Sequence, residues 1–202
     1  LKEKVIGAHR ANIKKIFIPL ENESDLEEIP KEIKNDIEKL KCCCCKGIFN
    51  YLQQISNISD EINITSSSHR EGNLQNLLNL SDTSHFYTLD ESNSWICFEF
   101  KKYKITPISY TLKSHRNSSG GCQPKNWVIE GSIDNQDWVK IDEQNNCSYL
   151  NHRLVFHVFP ISDLEGKKEF KFMRIRQTGP NWCDSDGWRN ILLFAALNSM
   201  EY

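Results

Sequence analysis

The sequence predicts a mainly β protein, a sandwich or barrel of short strands, preceded by a small α/β segment. Beyond residue 60, apolar residues alternate with polar ones in short runs separated by Gly-, Pro-, Asn- and Ser-containing turns, the two-residue period of strands. Before residue 40 the apolar spacing is first helical and then strand-like. An apolar share of 39% is low for 202 residues, but five Trp, ten Phe and six Tyr supply side chains large enough to fill a core.

Leu1, Val5 and Ala8, interspersed with Lys2, Glu3, Lys4 and Arg10, predict an amphipathic helix to about residue 11. Ile16-Phe17-Ile18 is β-branched and aromatic and predicts a strand that Pro19 ends. Ser24-Asp25-Leu26-Glu27 has the pattern of a capping box, in which Ser24 accepts from a first-turn N–H and Glu27 reaches back. A second short helix is expected there, stopping near Pro30, with a turn or strand over 31–37. Residues 41–46, Lys41-Cys42-Cys43-Cys44-Cys45-Lys46, read as a Cys-rich junction. Neighbouring side chains on an extended segment point to opposite faces, so this run does not turn two thiolates toward one ion, and no metal site is predicted.

A helix over Gly47 to Gln54 comes next, and then the strands. Ile62 to Thr65 alternates, Trp95 to Phe100 sets Ile96, Phe98 and Phe100 on one face, and Ile108, Tyr110 and Leu112 repeat the period. All three are expected to be half-buried. Trp127 to Ser132 and Trp138 to Ile141 flank the polar turn Asp134 to Asp137 as a hairpin. Leu154 to Phe159, Phe170 to Arg176 and Leu192 to Ala196 complete the set. Trp95, Trp127 and Trp138, at or near strand starts, read as core residues.

A net charge of -2 and a pI near 6.3 leave no clustered basic footprint, which argues against nucleic acid or an anionic membrane surface as partner. No run approaches the roughly 18 apolar residues of a membrane-spanning helix. The start, Leu1-Lys2-Glu3-Lys4, has neither signal-peptide character nor an initiator methionine, so the chain is expected to be a fragment of a longer product. Cys97, Cys122, Cys147 and Cys183 form no spaced framework, and a reduced, intracellular chain in the cytoplasm is the expectation.

Residues 1–40 carry a resemblance in Leu1 to Ala11, Ile13-Lys14, Ile18-Pro19, Glu21-Asn22 and Asp25 to Pro30. They resemble the C-terminal part of the proteolytic domain of Lon, the ATP-dependent protease. The resemblance implies that Lys2 is one member of a Ser-Lys dyad. A partly desolvated lysine has a lowered pKa and serves as the general base that activates a serine. By spacing alone, Lys2 is a solvated charge at the start of an amphipathic helix. In the family, the serine lies upstream, as does an ATPase module. The resemblance therefore implies no peptide hydrolysis and no cofactor for this chain alone, with ATP, Mg and a Lon-type hexamer belonging to an intact parent.

A second resemblance rests on Asn93 to Phe98, Pro107 to Ser114, Pro124 to Ser132 and Arg174 to Trp182. Residues 47–202 resemble a discoidin-type domain, also called the coagulation factor V/VIII C-type domain, of the intracellular kind common in protist proteins. The resemblance implies a galactose-binding-like jelly-roll β-sandwich, binding through loops at one end of the barrel and carrying no catalysis.

Trp182, Asp184, Trp188 and Arg189, in the loop from Gly179 to Arg189, offer indole faces, an acid and a cation for a sugar or peptide. His115 and Arg116, in the loop from Ser114 to Gly121, are second candidates. The two indoles have a competing reading as plugs of the sandwich end, and Arg174 and Arg176 either bridge loop carbonyls or contact ligand. His9, His69, His85, His152 and His157 have no spacing that marks a metal site or triad and read as surface or strand residues. Two functions emerge: a non-catalytic module binding protein or carbohydrate behind a Lon remnant, or the C-terminal piece of a Lon-type ATP-dependent Ser-Lys endopeptidase.

Overall fold

The helical spacing at the start of the chain produces α1, Lys2–Arg10, with Glu3 in its first turn and His9 and Arg10 in its last, both favourable to the helix dipole. The structure is a computed structural model and describes residues 2–11, 15–19, 28–30, 33, 38–42, 47–78, 85–116, 121–162, 168–183, 187–194 and 196–201. The chain divides into two compact units, Leu1–Lys46 and Gly47–Tyr202.

In the first unit, β1 (Lys15–Pro19) pairs in parallel with β2 (Glu38–Cys42), aligning Ile16 with Lys39 and Ile18 with Lys41. Lys41 and Cys42, read from sequence as junction residues, are strand residues of β2: parallel pairing satisfies their backbone groups whatever their side chains. The capping box at Ser24 to Glu27 lies outside the described residues, as does most of the segment over 31–37.

In the second unit, α2 (Ile48–Ile55) is amphipathic and buries Ile48, Phe49 and Leu52. Phe49 stacks on Phe98 at 5.3 Å and on Phe100 at 6.1 Å, which seats the helix on the main sheet. Asn57 caps the short α3 (Ile58–Glu61), its side chain accepting from the Ser59 N–H at 3.2 Å.

Five antiparallel strands form the main sheet: β3 (Ile62–Ser66), β6 (Trp95–Phe100), β11 (Phe172–Gln177), β8 (Trp127–Ser132) and β9 (Val139–Gln144), in that spatial order. Between β3 and β6 the chain makes the two-residue strands β4 (Glu71–Gly72) and β5 (Phe86–Tyr87). β7 (Ser109–Lys113) is the centre of a three-stranded sheet, between β10 (Phe156–Pro160) and β13 (Ala196–Glu201), while β12 (Leu193–Phe194) joins β5 and β4. The core fills from the alternating inner positions of the main sheet. Its register lines up Ile64, Phe98, Met173, Gly131 and Val139, and beside that row Ile96, Ile175 and Ile129. A Cβ at Gly131 would meet the Phe170 ring at 2.5 Å, so only glycine lets that ring close the row.

Strand existence follows the alternation, but burial departs from it. β7 and β8 are buried along their whole length, whereas β6 and β11, flanked on both sides in the same way, keep half-buried positions. Ile108 precedes β7 and is 52% exposed. Of the three tryptophans read as core, only Trp127 is. Trp95 and Trp138 are half-buried, and the Trp138 ring lies under the Arg174 guanidinium at 3.9 Å. Among the described residues, Arg174 and Arg176 donate to side chains rather than to loop carbonyls, and Arg176 Nη1 reaches Asn93 Oδ1 at 3.1 Å in the connection before β6. Both hold the buried Glu130, through Arg174 Nε at 2.6 Å and Arg176 Nη2 at 2.7 Å. Burial alone pushes the Glu130 carboxyl up, and the two guanidiniums outweigh it, leaving the group below its ordinary range. Among the described residues no helix is long and apolar enough to cross a membrane.

Candidate functional site

Strand register brings both sequence-predicted loops to one end of the sandwich. Ser66 pairs with Ile96, Arg176 with Trp95, and Gln177 with Trp127, so the end of β3, the start of β6, the end of β11 and the start of β8 meet there. The connections over 67–94, 114–126 and 178–192 therefore converge.

Arg70, Glu71, His85, Tyr87, His115 and Trp188 form the centre of this end. β4 and β5 set Glu71 opposite Tyr87 and Gly72 opposite Phe86. Gly72 has φ +95°, and a Cβ there would collide with the His85 carbonyl oxygen, so glycine is required for the approach. The Arg70 guanidinium lies over the Trp188 ring at 4.1 Å, and its Nη1 donates to the Gly187 carbonyl at 2.9 Å. Tyr87 sits 6.0 Å from Trp188 and donates its hydroxyl to Glu71 Oε2. His85 Nε2 is 3.4 Å from Glu71 Oε1, stacks on Tyr87 at 5.3 Å, and meets His115 edge to face at 4.6 Å.

The Tyr87 hydroxyl, ahead of the nearby His85, holds the Glu71 carboxyl below its ordinary range, while burial and the Glu71 charge push Tyr87 up. His115 is only 3% exposed, and burial first, then the charges of His85 and Arg116, hold it down to about 4, with Glu71 opposing. A histidine lowered in this way binds its proton more readily in the unfolded chain. Its contribution is therefore complete above its unfolded value near 6.5 and is lost as pH falls toward 4, an effect on the order of 3 kcal/mol. Urea midpoints measured against pH for the parent and for His115→Asn are expected to diverge across that window. Parallel curves would show that another group carries the acid sensitivity.

The predicted residues separate into distinct roles. Trp188 is half-buried and packs on a small cluster of Tyr87, Cys122, Cys183 and Ile191. Trp182 is pinned: its indole N–H donates to the Cys147 carbonyl at 2.9 Å and Lys125 covers the ring at 4.3 Å. His115 supports the face from beneath, whereas Arg116 and Arg189 are exposed. Asp184 and the Lys2 side chain lie outside the described residues. Asn181, buried, shapes the loop by donating to the carbonyls of Trp188 at 2.7 Å and Ile191 at 3.0 Å and accepting from the Cys183 N–H at 2.8 Å. Sequence reasoning missed Arg70, Glu71, His85, Tyr87 and Asn181. The polar run His69-Arg70-Glu71-Gly72, ending in a glycine, was the available signal for a turn there.

Residues 1–54 match the Lon protease (S16) C-terminal proteolytic domain. The Lon likeness thus continues past residue 40, where the resemblance read from sequence ends, and takes in most of α2. Peroxisomal Lon protease homolog 2 of Rattus norvegicus is 46% identical over 50 residues, which is 25% of this chain and 6% of that protein. Lon protease of Methanosarcina barkeri is 55% identical over 38 residues, covering 19% of this chain and 5% of the relative. The chain thus spans only a small part of the Lon relatives it matches.

The sandwich has a CBM32/discoidin-like fold. CpGH89CBM32-5 of Clostridium perfringens, in complex with GalNAc-β-1,3-galactose, is similar with a TM-score of 0.51 and 14% identity over 68% of this chain and 93% of that one. CBM32-3 from a family 31 glycoside hydrolase of Clostridium perfringens gives 0.52 and 13% over 72% and 94%. The lectin domain of lectinolysin complexed with Lewis b antigen gives 0.51 and 12% over 69% and 92%. At these identities the likeness is one of fold.

Proposed function

We propose that Gly47–Tyr202 is a non-catalytic recognition module that binds carbohydrate through the face made by Arg70, Glu71 and Trp188, carried behind a Lon proteolytic remnant. The carrying observation is a guanidinium over an indole, 4.1 Å from its ring centre, beside a carboxylate whose side chain is 63% exposed. Donors, acceptors and an aromatic edge held rigidly together suit sugar hydroxyls, and the loop end of a sandwich is where such groups escape the core. The sugar complexes among the similar folds support the same class. Glycan-array binding of the full chain, with galactose- and N-acetylgalactosamine-terminated glycans included, tests it. Arg70→Ala is expected to weaken binding at least about tenfold, the loss of one charge-assisted hydrogen bond and its stacking, with the melting temperature nearly intact. Glycan binding indifferent to Arg70→Ala, or no glycan bound at all, would remove this reading.

A second reading rests on the Lon match over residues 1–54. In it the chain is the C-terminal portion of an ATP-dependent Ser-Lys endopeptidase, Lys2 serving a serine encoded upstream. It requires one transcript joining that serine to Gly47–Tyr202, and a product that cleaves casein with ATP until Lys2→Ala abolishes the cleavage. Separate transcripts, or cleavage that survives Lys2→Ala, rule it out.

A further inference from the structure

Cys122 and Cys183 stand in two of the three connections that converge at the candidate face, and the proposed recognition makes no use of them. Both are reduced thiols, 8% and 9% exposed, packed with Tyr87 and Ile191 beneath Trp188. The backbone brings their two segments together. β11 and β8 pair antiparallel as far as Gln177 and Trp127. Beyond the strands the register slips by one residue: the Thr178 N–H donates to the Asn126 carbonyl at 3.2 Å, but the Trp182 N–H donates to the Gln123 carbonyl at 3.1 Å. One residue further along each segment stand Cys183 and Cys122. Both side chains enter the same small buried cluster there, the proximity that a disulfide requires. The two thiols already hydrogen bond to each other.

We propose that Cys122 and Cys183 are a dithiol modification site that closes to a disulfide, cross-linking the 114–126 and 178–192 loops beneath the candidate face. The oxidant is a low-molecular-weight disulfide such as glutathione disulfide. The thiolate of one cysteine attacks a glutathione sulfur, and the other glutathione leaves as its thiol. The second cysteine then attacks the protein sulfur of the mixed disulfide, releasing the second glutathione. Two electrons pass from the protein to glutathione, one S–S bond breaks as one forms, and the two cysteine protons end on the two released thiols.

Burial, reinforced by the Cys183 hydrogen bond, pushes the Cys122 thiol up to about 12. Below that value the thiolate fraction rises about tenfold with each unit of pH, so closure is slow at neutral pH and accelerates in mild alkali.

The test incubates the full chain with glutathione disulfide at about pH 8.5, blocks remaining thiols, and maps tryptic peptides by mass. The expected product joins the peptide 117–125 to the peptide 177–189, and the oxidised chain melts about 5 °C or more above the reduced one. Cys122→Ser is expected to abolish both the link and the shift. The mapping also separates this bridge from reactions at Cys42 to Cys45. The proposal is overturned if the two peptides are recovered unlinked, whether blocked or carrying a glutathione apiece. That result would leave the carbohydrate reading untouched, since Arg70 and Glu71 do not take part.

Discussion

Replacing Glu130 with alanine is expected to destabilise the sandwich by about 3 kcal/mol. Glu130 accepts from Arg174 Nε at 2.6 Å, Arg176 Nε at 3.1 Å and Arg176 Nη2 at 2.7 Å, and its side chain is only 9% exposed. Deleting the carboxylate leaves two guanidiniums side by side without their shared anion. The loss of a partner is worse than the pair was good, because the cost is the uncompensated charge left behind. Arg174 also lies over Trp138 and Arg176 Nη1 donates to Asn93 Oδ1 at 3.1 Å, so neither side chain swings into water without giving up a second interaction. Urea unfolding of the full chain, followed by tryptophan fluorescence, measures the loss. A change below about 1 kcal/mol would place Glu130 with ordinary surface ion pairs.

Trp127→Ala is expected to cost about 3 to 5 kcal/mol, enough to unfold a marginal domain. Trp127 is fully buried and meets Phe159 edge to face at 5.4 Å. Its indole N–H donates to the Tyr110 hydroxyl at 3.0 Å, which in turn donates to Asp142 Oδ2 at 2.5 Å. The chain Trp127–Tyr110–Asp142 ties the two sheets together through the core, β8 and β9 on one side and β7 on the other. Trp127→Phe keeps most of the volume and removes only the N–H, so about 1 to 2 kcal/mol is expected from the same unfolding experiment. Equal losses for the two variants would mean that the hydrogen bond outweighs the packing, contrary to the cavity argument.

Much of the architecture is legible residue by residue. The inward faces of β3 and β6 are the alternating Ile62 and Ile64, and Ile96, Phe98 and Phe100. The hairpin between β8 and β9 forms where the polar turn predicts it, with Asp134 Oδ1 accepting from the N–H groups of Gln136 and Asp137, each at 2.9 Å. The helix over 48–55 follows from its apolar spacing. Burial on the outer faces is not legible in the same way. Nothing local distinguishes Glu130 from a solvated acid, or Trp138 from a core tryptophan, until Arg174 arrives from another strand.

The sequence by itself determined the class of the fold and the order and approximate limits of the longer strands, though not the short β4 and β5. These are set by periodicity, caps and turn chemistry, which act over a few neighbouring positions. Only the tertiary structure decided which side chains form the face. Arg70 reaches Gly187 across 117 positions, the Asn190 N–H donates to Asp90 across 100, and the Leu192 N–H to Thr88 Oγ1 across 104. The same packing pinned Trp182 to the Cys147 carbonyl, withdrew His115 beneath the surface and brought Cys122 and Cys183 into one buried cluster. Strand register selects such pairs from segments far apart in the chain, and register depends on how both sheets close their shared core, which no short stretch of residues encodes.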